Sequence, residues 1–470
     1  MTSRDSAIQQ NLVDLLAEID KLQVAEDQLS TELAQVRTRK SNLLQLVNIE
    51  VAIGRLPDEV LAEVFRHLDG GWDNDNELPF LLRASQVTKR WRHVTLSIPS
   101  LWSTIELRPN SHSQHYQTRL VKEYLSRSGA SLLDIEIHMC EDRNVTPVVD
   151  LLIPEIDRWL RLVVESTDER AVRTLFRALH NQYAPRLQHL RIDVEIDDEQ
   201  NMALWIGENR TLAGGVPSLN FLETRGINMH DWLPPLGGVK SIYMADCYSA
   251  SLLRYHQFRQ ILIASTSLTH LELEGMIECS TLDDVTLIEM PCLVLLSVLP
   301  PDYVNPIPYM RNIFTTISAP SLQILCLRKV YGQQFRVFLE TFRSASYHPV
   351  LETLMLDSVT GLEHLTPTFA LSSPTIRHLS LKFTDPAPIL QLLTNHNFDP
   401  LWPLLQTLTV GPVNNALLRS FISDRISIGL PLVKLRYGTE LDPISNDIPT
   451  SEMNWFVERL RVEMVSYYDM

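Results

Sequence analysis

One spacing, apolar-x-x-apolar-x-apolar, returns thirteen times between Trp102 and Tyr437. The copies are Trp102/Ile105/Leu107, Leu132/Ile135/Ile137, Trp159/Leu162/Val164, Leu187/Leu190/Ile192, Leu219/Leu222/Thr224, Val239/Ile242/Met244 and Leu268/Leu271/Leu273. They continue as Leu293/Leu296/Val298, Leu322/Leu325/Leu327, Leu351/Leu354/Leu356, Ile376/Leu379/Leu381, Leu405/Leu408/Val410 and Leu432/Leu435/Tyr437. Most start roughly twenty to thirty residues after the last, a period that belongs to stacked repeats. The final two apolar residues of each copy lie two apart, so they face one side of a short strand. Helical stretches fall between copies, at 171–179, 252–264, 335–342 and 417–422. Strand plus helix per repeat predicts an α/β solenoid over 102–450, with a curved parallel sheet inside and helices outside. A doubly wound sheet would need far fewer strands. Beyond it, Trp455, Phe456, Val457, Leu460 and Val462 predict a terminal helix over 451–470 that caps the last repeat.

Charge and cysteine usage exclude several classes of function. The chain carries 57 acidic and 41 basic residues, a net charge of −16, which argues against a general binder of nucleic acid or anionic membrane. Its five cysteines are odd in number and never in C-x-x-C spacing, which predicts reduced thiols in an intracellular protein. The opening MTSRDSAIQQ has no apolar core of a leader, and no run of about eighteen apolar residues occurs. The expected location is cytoplasmic, nuclear or both.

Ahead of the array, Ile8, Leu12, Leu15, Ile19, Leu22, Leu29, Leu33, Val36, Leu43 and Val47 keep a heptad stripe, with Glu26 and Lys40 at the two polar core positions. No glycine or proline interrupts it. Over about five heptads this predicts a coiled coil of roughly 60 Å across residues 1–50. Residues 8–47 could then hold two copies together, pair with another protein, or fold back on the same chain.

Between rod and array, residues 51–101 hold three short helical patterns. Leu56-Pro57-Asp58-Glu59 opens the first, proline fixing φ at the first turn and the acids suiting the positive helix end. Val60, Leu61, Val64, Phe65 and Leu68 recur at helical spacing; a second pattern runs from Leu78 to Val87 and a third starts near Lys89 around Trp91 and Val94. These residues resemble the F-box, whose pattern Leu56, Pro57, Glu59, Val60, Leu61, Val64, Phe65, Leu68, Leu81, Val87, Lys89, Trp91 and Arg92 reproduce in order. Thr88 stands where that family usually has cysteine, and a GGWDNDNE spacer lengthens the first connection.

The array resembles leucine-rich repeats in a degenerate form. The asparagine or cysteine that closes the strand turn is mostly absent; Cys247 comes nearest, and Val330 and Val359 hold the position elsewhere. Together the parts look like the F-box proteins of mushroom-forming fungi, in which a coiled coil commonly precedes the box. The resemblance implies a substrate receptor of a Skp–cullin–F-box ubiquitin ligase. The box would dock a Skp-type adaptor through Leu56, Pro57, Val60, Leu61, Phe65, Leu82 and Trp91, and the repeats would hold a target protein. A scaffold that never joins a ligase is the competing reading.

Strand residues between the buried leucines point to the inner face, and their character drifts from acidic through apolar to basic. Leu295, Leu299, Ile324 and Met355 are therefore the expected centre of a target surface, with Glu272, Glu274, Lys382 and Arg436 selecting charge at its ends. Alternatively, the proline-bearing stretch 300–320 folds over this patch. The chain has no G-x-G-x-x-G, P-loop, H-E-x-x-H or G-x-S-x-G. The acidic stretches Asp193–Glu199 and Asp283-Asp284 lack a calcium loop's glycine and closing glutamate. His189, His270 and His378 sit at equivalent strand positions far apart along the array. No catalytic group, cofactor or metal site is expected.

Overall fold

The computed structural model describes residues 1–470 apart from 1, 51, 69–78, 109–113, 140–144, 168, 196–210, 228–231, 246–252, 276, 279–285, 302–305, 346–348, 395–399, 412, 440–449 and 467–470. The spacer GGWDNDNE, Cys140, Cys247, Cys279 and Asp283-Asp284 lie outside the described residues. The chain divides into two compact units, Met1–Trp102 with Arg127–Gly129, and Ser103–Ser126 with Ala130–Met470.

In the first unit a single helix α1 (Thr2–Glu50) precedes α2 (Asp58–Leu68), α3 (Phe80–Val87) and α4 (Lys89–Ser97). The described side chains of the heptad stripe, from Leu15 through Ile19, Leu22, Leu29, Leu33 and Val36 to Leu43, are all exposed.

The second unit is built on one sheet of fourteen strands, all pairs parallel. The first six are β1 (Thr104–Leu107), β2 (Leu133–Met139), β3 (Trp159–Ser166), β4 (His189–Val194), β5 (Phe221–Arg225) and β6 (Ser241–Ala245). Then β7 (Leu253–Arg254) pairs with β9 (Ile277–Glu278) outside that sheet, as β10 (Ile288–Glu289) does with β12 (Ile317–Ser318). The main sheet continues with β8 (His270–Glu274), β11 (Leu295–Leu299), β13 (Ile324–Arg328), β14 (Thr353–Asp357), β15 (His378–Lys382), β16 (Thr407–Val410), β17 (Lys434–Thr439) and β18 (Arg461–Ser466). Spatial order follows chain order throughout, as in a leucine-rich-repeat-like solenoid.

The repeated spacing explains this stacking. On most strands alternate residues are buried and half-exposed, so each pair of leucines two apart enters the core while its neighbours face outward. Each such burial contributes about 1.5–3 kcal/mol. Twelve copies bury their repeated residues as the spacing requires. The exception is Leu132, 36 % exposed, whose place is taken by the fully buried Leu133. The cause is a register shift between Leu133 and Asp134 where β2 pairs with β3. The tail also differs from the single expected helix: α14 (Thr450–Val457) ends early and the chain returns as β18, a fourteenth strand on β17.

Helices α5 (Gln114–Ser128), α6 (Thr146–Leu152), α7 (Glu169–Leu179), α8 (Tyr255–Ala264), α9 (Pro306–Thr316), α10 (Gly332–Ala345), α11 (Pro367–Ser372), α12 (Ala387–Leu393) and α13 (Asn415–Ser427) fall between strands. Phe314 of α9, Phe338 and Phe342 of α10 and Phe369 of α11 pack with ring centroids 4.9–6.0 Å apart. Arg425 on α13 is almost fully buried and donates to the carbonyls of Leu401, Trp402, Leu405 and Leu430. Burial lowers the pKa of its guanidinium from the ordinary value.

Strand ends carry a recurring turn. The residue after the strand is left-handed at Gly226 (φ 68°), Gly275 (φ 67°), Lys329 (φ 49°), Ser358 (φ 57°) and Phe383 (φ 45°). The first four donate their N–H to a carbonyl at the end of the neighbouring strand, so this conformation extends the ladder by one bond. The residue that follows turns inward: Val330 and Val359 are buried, and Thr384 does the work asparagine would do. Its hydroxyl donates to the Leu356 carbonyl (3.0 Å) and accepts from the Val359 N–H (3.0 Å). Further round, Gly361 (φ 84°) sits so close to Gly332 that a Cβ there would lie 2.7 Å from the Gly332 Cα.

Candidate functional site

The helical unit is assembled around Phe65. Proline at position 57 and acids at 58 and 59 start α2, and Leu61, Ala62 and Phe65 form its buried face. The Phe65 ring meets Trp91 of α4 edge-on at 4.9 Å and Phe80 of α3 at 5.8 Å. Thr88 caps α4, its hydroxyl accepting from the Trp91 N–H at 3.0 Å. Threonine in the position usually held by cysteine thus contributes a cap, typically about 1 kcal/mol. Arg90 ties α4 to the start of α2 through Asp58 Oδ1 and the Leu56 carbonyl.

The seven residues expected to dock an adaptor fall into two groups. Leu61 and Phe65 are fully buried and support the unit from within, whereas Leu56, Leu82 and Trp91 are half-buried. Pro57 and Val60 are exposed. With Val64 and Leu68, Val60 makes a second apolar stripe on α2 at steps of four, flanking Leu61 and Phe65; Val60 and Leu68 are exposed and Val64 is half-buried. Leu68, Val87 and Leu96 are exposed apolar residues outside the set expected to dock the adaptor. The signal was available for Leu68, since the apolar arc of α2, from Val60 round to Phe65, is wider than a small unit buries.

On the sheet, strand register decides what meets what. Leu295 lies opposite Ile324, and Ser297, Cys326 and Met355 follow one another across β11, β13 and β14. Leu299 stands opposite Glu274. All four expected apolar residues, Leu295, Leu299, Ile324 and Met355, are therefore gathered on three adjacent strands, and each remains half-exposed. The described part of the stretch expected to cover them instead packs as α9 against α10. Burial raises the pKa of the Cys326 thiol beside this group.

The charged ends differ from one another. Glu272 and Glu274 are held by Arg328, at 3.7 and 2.7 Å, and Glu274 hydrogen-bonds Tyr243, whose phenol burial and that bond push up. Lys382 makes no ion pair among the described residues; its ammonium lies 5.7 Å from the Phe383 ring centroid. Arg436 sits on β17, three strand spacings from Met355, or about 14 Å. It shares Glu463 with Lys434 and Arg461. These cations, chiefly the Lys434 hydrogen bond, hold the Glu463 carboxyl below its usual pKa. In the main sheet, β1 to β6 and β8 carry eight carboxylates against three arginines, whereas β13 to β18 carry five cations against two carboxylates. The sheet face is polarised along its length.

Two further points concern histidine. His189 is three strand spacings from His270, and His270 four from His378, so they form no common site. His189 instead stacks on Phe221 at 4.3 Å, and burial lowers its pKa. Sequence reasoning missed a group at the other end, where register brings Glu106, Glu136 and His138 together with ligand atoms within 4.8 Å of one another. His138 lies 2.9 Å from Glu136 and 3.0 Å from Glu165, and Arg108 pairs with Glu106. Protein groups thus contact each of these ligand residues.

Residues 53–108 match the F-box-like family. Comparison with curated proteins gives no match. A chain of the yeast Rad7–Elc1 complex is similar over 83 % of this chain and 94 % of its own, at 12 % identity and a TM-score of 0.40. That likeness is too loose to specify how the repeats are arranged. The protein is thus an α/β chain in which an F-box-like unit precedes a long parallel repeat sheet. Among the described residues no helix is long and apolar enough to cross a membrane.

Proposed function

We propose that the chain is the substrate-recognition subunit of a Skp–cullin–F-box ubiquitin ligase, acting in the cytoplasm, the nucleus or both. The observation that carries this is the F-box-like unit whose α2 keeps Val60 and Leu68 exposed, with the half-buried Val64 between them, beside its buried face. That stripe suits a Skp-type adaptor. The repeat sheet, with its half-exposed apolar residues flanked by charge, suits a target protein. Leu56, Pro57, Val60, Leu61, Phe65, Leu82 and Trp91 are the adaptor residues, the buried ones acting by shaping the unit. Leu295, Leu299, Ile324, Met355, Lys382 and Arg436 are the target residues; Glu272 and Glu274 contribute through Arg328. The contribution to ubiquitin transfer is proximity, and it needs no catalytic group on this chain.

Co-purification with a Skp-type adaptor tests the reading. Capture is expected for the natural chain and at least a tenfold loss for Leu56→Ala/Pro57→Ala with helix content unchanged by circular dichroism. A chain that captures no adaptor in either form is a scaffold instead.

Assembly by α1 is part of the same proposal, because its stripe is exposed from Leu15 to Leu43. A two-stranded coil would bury it, with Glu26 and Lys40 setting register. Light scattering at micromolar concentration is expected to give twice the 53.8 kDa chain mass, falling to one chain when residues 1–50 are removed. A single-chain mass for the full protein defeats the dimer.

A further inference from the structure

We propose that two copies of this chain joined through α1 run antiparallel, the acidic stretch of each helix lying against the basic stretch of the other. This deepens the reading of α1 as a dimerising coil and rests on it. A heptad stripe first suggests a parallel coil, in which each core residue faces its own copy. Burial alone does not choose between the two directions, because the apolar residues from Leu22 to Leu43 enter the seam in either. Charge does choose. The stripe places Leu15, Leu22, Leu29, Val36 and Leu43 at d, and Ile19, Glu26, Leu33 and Lys40 at a. Over residues 15–44 the charged residues at a, d and the flanking e and g positions are Glu18, Glu26 and Glu32, then Arg37, Arg39 and Lys40. Acids and bases are thus fully segregated along the contact face. All six are exposed, and none makes an ion pair among the described residues.

In a parallel coil Glu26 would face Glu26 and Lys40 would face Lys40 inside the seam, and Glu32 with Arg37 would be the one attractive flanking pair. Turning one copy end for end about the stretch 31–35 removes both like-charge layers. Each Glu26 then lies within about one helical turn of the other copy's Lys40, and roughly 15 Å or more along the axis from the other Glu26. The acids of each copy meet the bases of the other, and two-fold symmetry makes every such contact twice. The helix ends at Glu50 would stand roughly 45–60 Å apart, so the two chains leave the coil in opposite directions.

The test uses the full chain. Copies carrying a donor or an acceptor dye at the N-terminal amine are expected to form mixed dimers that transfer little energy, their first residues lying roughly 80–100 Å apart. A parallel coil would place those dyes side by side and transfer strongly. Dimer affinity by sedimentation is expected to fall as salt rises, because attraction is screened, whereas screening of like charges would tighten a parallel coil. Glu26→Lys is expected to weaken the dimer at least tenfold, and Glu26→Lys/Lys40→Glu to recover it, with helix content by circular dichroism unchanged. In a parallel coil Glu26→Lys exchanges one like-charge layer for another and leaves affinity as it was. Strong transfer, tightening with salt, an undiminished Glu26→Lys dimer or a double variant that stays weak would each overturn the antiparallel order while the dimer stands. A single-chain mass overturns both, and adaptor capture on the same preparations reports separately on the ligase reading.

Discussion

Phe65→Ala is expected to unfold the helical unit and abolish adaptor capture. Removing a ring buried against Phe80 and Trp91 leaves a cavity that the neighbours fill only in part, at about 3–5 kcal/mol. A unit of roughly fifty residues holds about 3–7 kcal/mol at usual per-residue stability. The loss is therefore comparable to the whole. Hydrogen exchange over 58–97 reads it directly: protection is expected to vanish in α2, α3 and α4. Retained protection with lost capture would instead make Phe65 a direct contact, which its full burial argues against. Leu56→Ala/Pro57→Ala, which spares that core, is expected to lose capture with protection intact.

The second large effect is expected at Arg425→Met. Methionine fills similar space but donates no hydrogen bond, leaving the carbonyls of Leu401, Trp402, Leu405 and Leu430 without this donor. The Trp402 carbonyl keeps the Leu405 N–H, but those of Leu401, Leu405 and Leu430 lose this donor, and unmet carbonyls cost about 1–3 kcal/mol each, so a loss of at least ~3 kcal/mol is expected. Arg425→Lys is expected to recover little, because one ammonium does not reproduce the planar fork that reaches four carbonyls. Urea unfolding followed by the protection of β16 and β17 measures this. A midpoint unchanged within error for Arg425→Met would show that water replaces the guanidinium without loss.

Much of the fold was readable from spacing, and the reason is local. Leucines at 354 and 356 or 379 and 381 must share a strand face whatever lies beside them. Where the reading went astray, a neighbour intervened. Leu132 and Leu133 are both apolar, and the shift against β3 chose between them. In the tail, Val462 and Val465 suit a strand as well as a helix, and only the open edge of β17 settles it. The loss of the turn asparagine was visible, but its replacement was not. Thr384 works because Leu356 and Val359 of the previous repeat stand beside it.

The candidate surfaces divide in the same way. Pro57, Val60 and the apolar residues of β11 to β14 were identifiable because exposure follows from period and face. The left-handed backbone at Lys329, Ser358 and Phe383 was not, since nothing in the identity of these residues announces it.

By itself, then, the sequence determined a helix with a heptad stripe, a compact F-box-like unit and thirteen of the fourteen strands in their order. Side-chain periodicity alone carries that information. Tertiary structure alone decided which charges are neutralised, with Arg328 holding Glu272 and Glu274 while Lys382 stays unpaired among the described residues. It also decided which turn residues are strained. Both depend on register between strands some twenty or more residues apart in the chain, where a shift by one residue would exchange every partner.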